Sequence, residues 1–65
     1  MEFRIKRYRN LLDLSQDELA KLVGCTRQTI NAIEKGKYSP SLLLAFKIAD
    51  VLNADINDVF EYKKK

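Results

Sequence analysis

At 65 residues, 46% apolar and 32% charged, the chain has an ordinary globular balance that argues against disorder. It is sized for one domain over residues 1–65, whose folding hides only ~60% of the unfolded surface, so its stability is expected to be modest or dimer-assisted. A net charge of +3 and a pI near 9.2 admit a polyanionic partner without requiring one. With Cys25 as the single cysteine and no histidine, an internal disulfide and a Cys/His metal site are excluded, and the longest apolar run, Leu42–Phe46, is too short for a signal-peptide core or a membrane span. A soluble, cytoplasmic protein without cofactor or metal is expected.

In chain order, the first helix is predicted over Phe3–Leu12, with Ile5, Tyr8 and Leu12 on one stripe. Arg9 breaks the pattern: at ~100° per residue it lies only ~40° from Ile5, at the edge of the core. Either it pairs with an acid, for which Glu34 is the candidate, or its head snorkels into water. Asp13 stands in the following turn, where aspartate tolerates a left-handed backbone at a slight cost.

Ser15 to Glu34 reads as two short helices around a glycine turn. Ser15 with Glu18 three residues on makes a capping box, Leu19, Ala20 and Val23 share one face, and Gly24 can end the helix in the left-handed region. Thr26 caps the second helix, whose inward residues are Ile30 and Ile33, and Lys35-Gly36 stops it. Helices this short must be held by packing, and a residue as small as Ala20 lets the second cross the first closely, at the steep angle of a helix-turn-helix. Cys25 reads as a half-buried turn filler rather than a redox switch at a helix N-terminus. Ser39-Pro40 reads as a cap and first helical residue, opening a helix to about Leu52 with a wide apolar arc of Leu42, Leu44, Ala45, Ile48, Ala49 and Leu52. Leu43 falls on its polar side. Asp55 caps a last short helix that carries Ile56, Val59 and Phe60, ahead of a solvated lysine tail.

The acidic residues are spread over caps and solvent faces with no convergent pair, so an enzyme is not expected. With Ile30 and Ile33 inward, the helical wheel puts Gln28, Asn31, Ala32 and Lys35 on the opposite face and Arg27 at its edge. Gln and Asn can read adenine, Arg can read guanine, and Ala can lie against a thymine methyl, so this face suits a DNA major groove.

The spacing of Gln16, Ala20, Gly24, Ile30 and Ile33 with the following E-K-G resembles the lambda-repressor-like (Cro/XRE-type) helix-turn-helix family over nearly the whole chain. That resemblance implies an all-α, five-helix DNA-binding domain and permits Met1–Phe3 and Glu61–Lys63 to pair as a small β-ribbon. It implies base readout by Arg27, Gln28 and Asn31 with Ala32 in apolar contact, DNA-backbone contacts from Gln16, Thr26, Thr29, Lys35, Lys37 and Tyr38, and an Arg9–Glu34 ion pair. Apolar residues crowd the C-terminal region, and Leu52, Ile56, Val59, Phe60 and Tyr62 are expected to form a homodimer interface. The function expected is sequence-specific transcriptional regulation, as a repressor on an inverted-repeat operator, since 65 residues leave no room for a ligand or activation domain. The alternatives are an antitoxin or restriction controller and, from another class, a helical protein-interaction module.

Overall fold

The structure is a computed structural model that describes residues 2–61. Among the described residues the order is β1 (Glu2–Phe3), α1 (Ile5–Leu11), α2 (Gln16–Val23), α3 (Arg27–Glu34), α4 (Leu42–Val51), α5 (Ile56–Val59) and β2 (Phe60–Glu61). The all-α, five-helix expectation holds, and the small terminal ribbon permitted by the resemblance is present in a shifted register. The two strands pair antiparallel, Glu2 with Glu61 and Phe3 with Phe60, and so tie the chain ends together.

The core is one cluster drawn from every helix: Ile5, Leu19, Ala20, Val23, Ile30, Ile33, Ile48, Ala49, Leu52 and Val59. Each helix is too short to persist alone, so burial of these faces is what holds the helices in place. Local chemistry sets where they start and stop. The Ser15 hydroxyl accepts from the Glu18 amide at 3.0 Å while the Glu18 carboxylate accepts from the Ser15 amide at 2.9 Å, which completes the capping box. The same amide hydrogen bond holds the Glu18 carboxyl below its ordinary value of 4.5. At the other end of α2, Gly24 has φ +79°, a conformation that glycine adopts without a Cβ penalty.

Three stretches differ from the sequence reading in their boundaries. The first helix spans Ile5–Leu11 rather than Phe3–Leu12. Phe3 lies in β1 with its ring edge-on to Phe60 at 5.1 Å, and the Arg4 amide donates to the Val59 carbonyl at 2.7 Å, contacts that only an extended Phe3 can make. At the C-terminal end Asp13 takes φ +59° and the Leu14 amide donates to the Arg9 carbonyl at 2.9 Å. The chain turns back there, so Leu14 packs against the core while Leu12, expected on the inner stripe, is 45% exposed.

The second difference is the start of α4. Ser41, not Ser39, is the cap: its hydroxyl accepts from the Leu44 amide at 3.2 Å, and Pro40 precedes the cap instead of occupying the first helical turn. Leu42 thus lies at the outer end of the helix and is 72% exposed, although the wheel groups it with buried Ala45 and Ala49. Ser41→Ala is expected to lower stability by about 1 kcal/mol. Ser39→Ala is expected to stay within about 0.5 kcal/mol. Urea titration of the two variants checks the assignment, and equal losses would count against it.

The third difference is at the C-terminal end, where Phe60 belongs to β2 and not to the last helix, and the ribbon uses Phe60–Glu61 instead of Glu61–Lys63. The Arg4 guanidinium reinforces it, donating to the Asp58 carbonyl at 2.9 Å and to the Glu61 carboxylate at 2.6 Å. Met1, Tyr62 and Lys63 lie outside the described residues. Among the described residues no helix is long and apolar enough to cross a membrane.

Candidate nucleic-acid interface

The geometry of the site follows from how α3 is anchored. Ile30 and Ile33 are fully buried, and Ala20 presents so little bulk that α3 sits closely on α2. The Thr26 side chain caps α3 by accepting from the Thr29 amide at 3.2 Å, and the two threonine hydroxyls lie 3.0 Å apart in a mutual hydrogen bond. With its inner face fixed, the outer face of α3 is set as well. Arg27 and Gln28 stand exposed, Asn31 is half-buried, and the three side chains together line one open surface depression. Ala32 is half-buried. Three of the four expected readout residues are therefore brought together on one patch.

The expected backbone-contact residues surround this face unevenly. Thr26, Lys35, Lys37 and Tyr38 are exposed, whereas Thr29 and Gln16 are half-buried. Lys35 and Lys37 follow α3 directly, where the Gly36 amide donates to Ile33 and the Lys37 amide to Ala32 at 2.9 Å, so the turn holds both lysines at the end of the helix. Glu34 is the one acid in α3, and it does not face outward. Its carboxylate is bound by Arg9, with Nε to Oε2 at 3.0 Å and Nη2 to Oε1 at 3.3 Å. The two side chains are only 10% and 7% exposed. Arg9 also donates from Nη1 to the Leu14 carbonyl at 2.7 Å. The ion pair expected from the sequence is present, and it removes the negative charge of α3 from the presented face.

A further feature was not foreseen. Gln16 Nε2 donates to Glu34 Oε1 at 3.2 Å, and Asn31 Nδ2 donates to Gln16 Oε1 at 3.4 Å. Gln16, expected at the DNA backbone, is thus engaged at both ends of its amide and keeps one Nε2 hydrogen for an outside acceptor. The available signal was that Asn31 and Glu34 stand three residues apart and so share a helix face. What they would meet there depends on how α2 and α3 cross.

Cys25 is half-buried, and burial pushes its thiol above the ordinary value of 9.0. A thiol so shifted carries less thiolate at neutral pH than a free one, which agrees with turn filler and not with a redox switch.

The C-terminal residues divide. Leu52 and Val59 are 2% and 0% exposed within the chain's own core, so they have no surface to offer a second copy, contrary to expectation. Their burial is needed to close a core this small. Ile56 and Phe60 are half-buried and line an apolar groove with Phe3, Pro40, Leu42 and Phe46.

Comparison with known proteins agrees with this geometry. A helix-turn-helix family model, HTH_3, matches residues 5–59. The chain is 56% identical over 63 residues to the uncharacterized HTH-type transcriptional regulator MJ0272 of Methanocaldococcus jannaschii, covering 97% of this chain and 96% of the relative. Among solved structures it is similar to the restriction-modification controller protein C.AhdI of Aeromonas hydrophila, with a TM-score of 0.81 and 32% identity over 88% of this chain and 83% of that one. It is also similar to the N-terminal DNA-binding domain of SinR from Bacillus subtilis, with a TM-score of 0.81 and 28% identity over 95% of this chain and 91% of that one. The chain belongs to the Cro/C1-type helix-turn-helix family, a family of DNA-binding transcriptional regulators and not of enzymes.

Proposed function

We propose that this protein binds an inverted-repeat operator as a homodimer, reads each half-site with the outer face of α3, and represses transcription in the cytoplasm by covering promoter DNA. The observation that carries this reading is the gathering of Arg27, Gln28 and Asn31 on one depression of a helix whose only acid is turned inward and paired. Their side chains offer the donors and acceptors that a major groove requires, and Lys35 and Lys37 stand ready at the end of the same helix for phosphates. Repression by occupancy demands nothing more than a filled operator.

The dimer reading now rests on the apolar groove. Exposed Leu42 and Phe46 with half-buried Ile56, Phe60 and Phe3 form an apolar surface beside the terminal ribbon, and a second copy of the chain is the occupant a two-fold operator calls for. A restriction-controller role is a second reading, favoured by the likeness to C.AhdI.

Selection of bound sites from a random duplex pool is expected to return an inverted repeat with half-site centres about 34 Å apart, one helical turn. Sedimentation at tens of micromolar is expected to give a dimer, and Phe46→Glu a monomer. Direct repeats from the selection, or a wild-type chain that remains monomeric with and without DNA, would refute the two-fold mode.

A further inference from the structure

The hydrogen bonds Arg9 to Glu34, Gln16 to Glu34 and Asn31 to Gln16 form one directed chain, and its direction is fixed at a single point. A carboxylate can only accept, whereas an amide can present either its oxygen or its nitrogen to a neighbour. Because Glu34 Oε1 faces Gln16, Gln16 must turn its nitrogen toward Glu34 and its oxygen toward Asn31. Asn31 must then turn its own nitrogen toward Gln16. One Nδ2 hydrogen is used inward. What Asn31 presents to the outside is the Oδ1 acceptor and one remaining Nδ2 donor, the combination that adenine N6 and N7 require. The geometry points to Glu34 as a specificity-determining residue: acting through Gln16, it sets the amide polarity of Asn31 and so selects adenine, without touching DNA itself. This rests on Asn31 being a base-edge contact.

The consequence is specific to polarity and separates positioning from stability. In Glu34→Gln, Arg9 Nε, at 3.0 Å the nearer of its two donors, claims the single amide oxygen, and the new amide nitrogen faces Gln16. Gln16 then reverses to accept it, and Asn31 reverses in turn, holding its oxygen inward and turning both Nδ2 hydrogens outward. Two donors fit the N7 and O6 acceptors of guanine in place of adenine. A role for Glu34 in stability alone would weaken binding to all sequences alike and would leave the base preference unmoved.

The test uses the full chain with Glu34→Gln, Gln16→Leu and Asn31→Ala. Melting curves establish which variants are folded, and Gln16→Leu carries the test if Glu34→Gln is not. Competition binding compares selected duplexes with adenine or guanine at the base pair where Asn31→Ala relaxes preference. The adenine-to-guanine preference is expected to fall about tenfold or more in Glu34→Gln and to tilt toward guanine, and in Gln16→Leu to fall without tilting. In the free protein, the side-chain amide resonances of both Gln16 and Asn31 are expected to shift in Glu34→Gln. An Asn31 amide resonance that does not move overturns the relay whatever happens on DNA. So does a wild-type adenine preference in the folded variants at a base pair that Asn31→Ala does relax. If the resonances move as expected but Asn31→Ala alters no base preference, the assignment of Asn31 as a reader fails, and the specificity role of Glu34 falls with it.

Discussion

Glu34→Ala is expected to destabilise the fold by about 3–5 kcal/mol, the range found when one partner of a buried ion pair is removed. The loss comes less from the attraction forfeited than from what stays behind. Arg9 is 8% exposed, and its guanidinium would keep the Leu14 carbonyl but lose both bonds to the carboxylate. A domain of this size has only about 5 kcal/mol to lose, and the variant should be largely unfolded well below the melting temperature of the parent. Replacing both partners, as in Arg9→Met with Glu34→Leu, is expected to recover most of the stability, since two apolar side chains need no partners. Denaturant titration of the two singles and the double settles the matter. A loss under about 1 kcal/mol for Glu34→Ala would show the pair to be solvated, as surface pairs are.

The second large effect falls on DNA. Arg27→Ala and Gln28→Ala are each expected to cost about 1–3 kcal/mol per half-site on the selected operator and to relax preference at one base pair, because bidentate contacts to base edges discriminate by that amount. In a dimer each substitution occurs twice, so affinity for the full operator should fall by about 2–6 kcal/mol, a factor of at least 30. Both residues are exposed, and among the described residues neither side chain makes a hydrogen bond or ion pair, so folding stability should stay within about 0.5 kcal/mol of the parent. Lys35→Ala and Lys37→Ala should behave otherwise. A lost phosphate contact weakens binding to any sequence and flattens the slope of log K against log salt by about one unit per contact, or about two per dimer.

Much of the frame was legible because its causes are local. Ser15 and Glu18 satisfy each other's amides across three residues, Gly24 supplies the left-handed turn, and Ile30 with Ile33 fixes which side of α3 faces in. The same wheel that places Ile33 inward places Gln28 and Asn31 outward, so the candidate reading face could be drawn before any fold was known. What periodicity cannot see is where a helix stops. Leu12 and Leu42 are both in phase with buried neighbours and both exposed, because one lies just past the end of α1, ahead of the left-handed turn at Asp13, and the other in the first turn after the Ser41 cap. Ser39 and Ser41 flank Pro40 with equal hydroxyls, and only the position of Leu44 chooses between them. The Gln16 relay was hidden for a different reason. It joins side chains from two helices through the crossing of α2 and α3, a quantity that spacing along either helix does not contain.

The central claim is that α3 reads bases. Its most direct measurement is the binding of the parent and of the Arg27→Ala, Gln28→Ala and Asn31→Ala variants to a selected operator and to scrambled duplex at several salt concentrations. The account predicts losses concentrated on the operator, with scrambled DNA bound almost as before by Gln28→Ala and Asn31→Ala and the salt slope of those two unchanged. Equal losses on both DNAs for all three variants would contradict it, and another face of the molecule would have to be the reader.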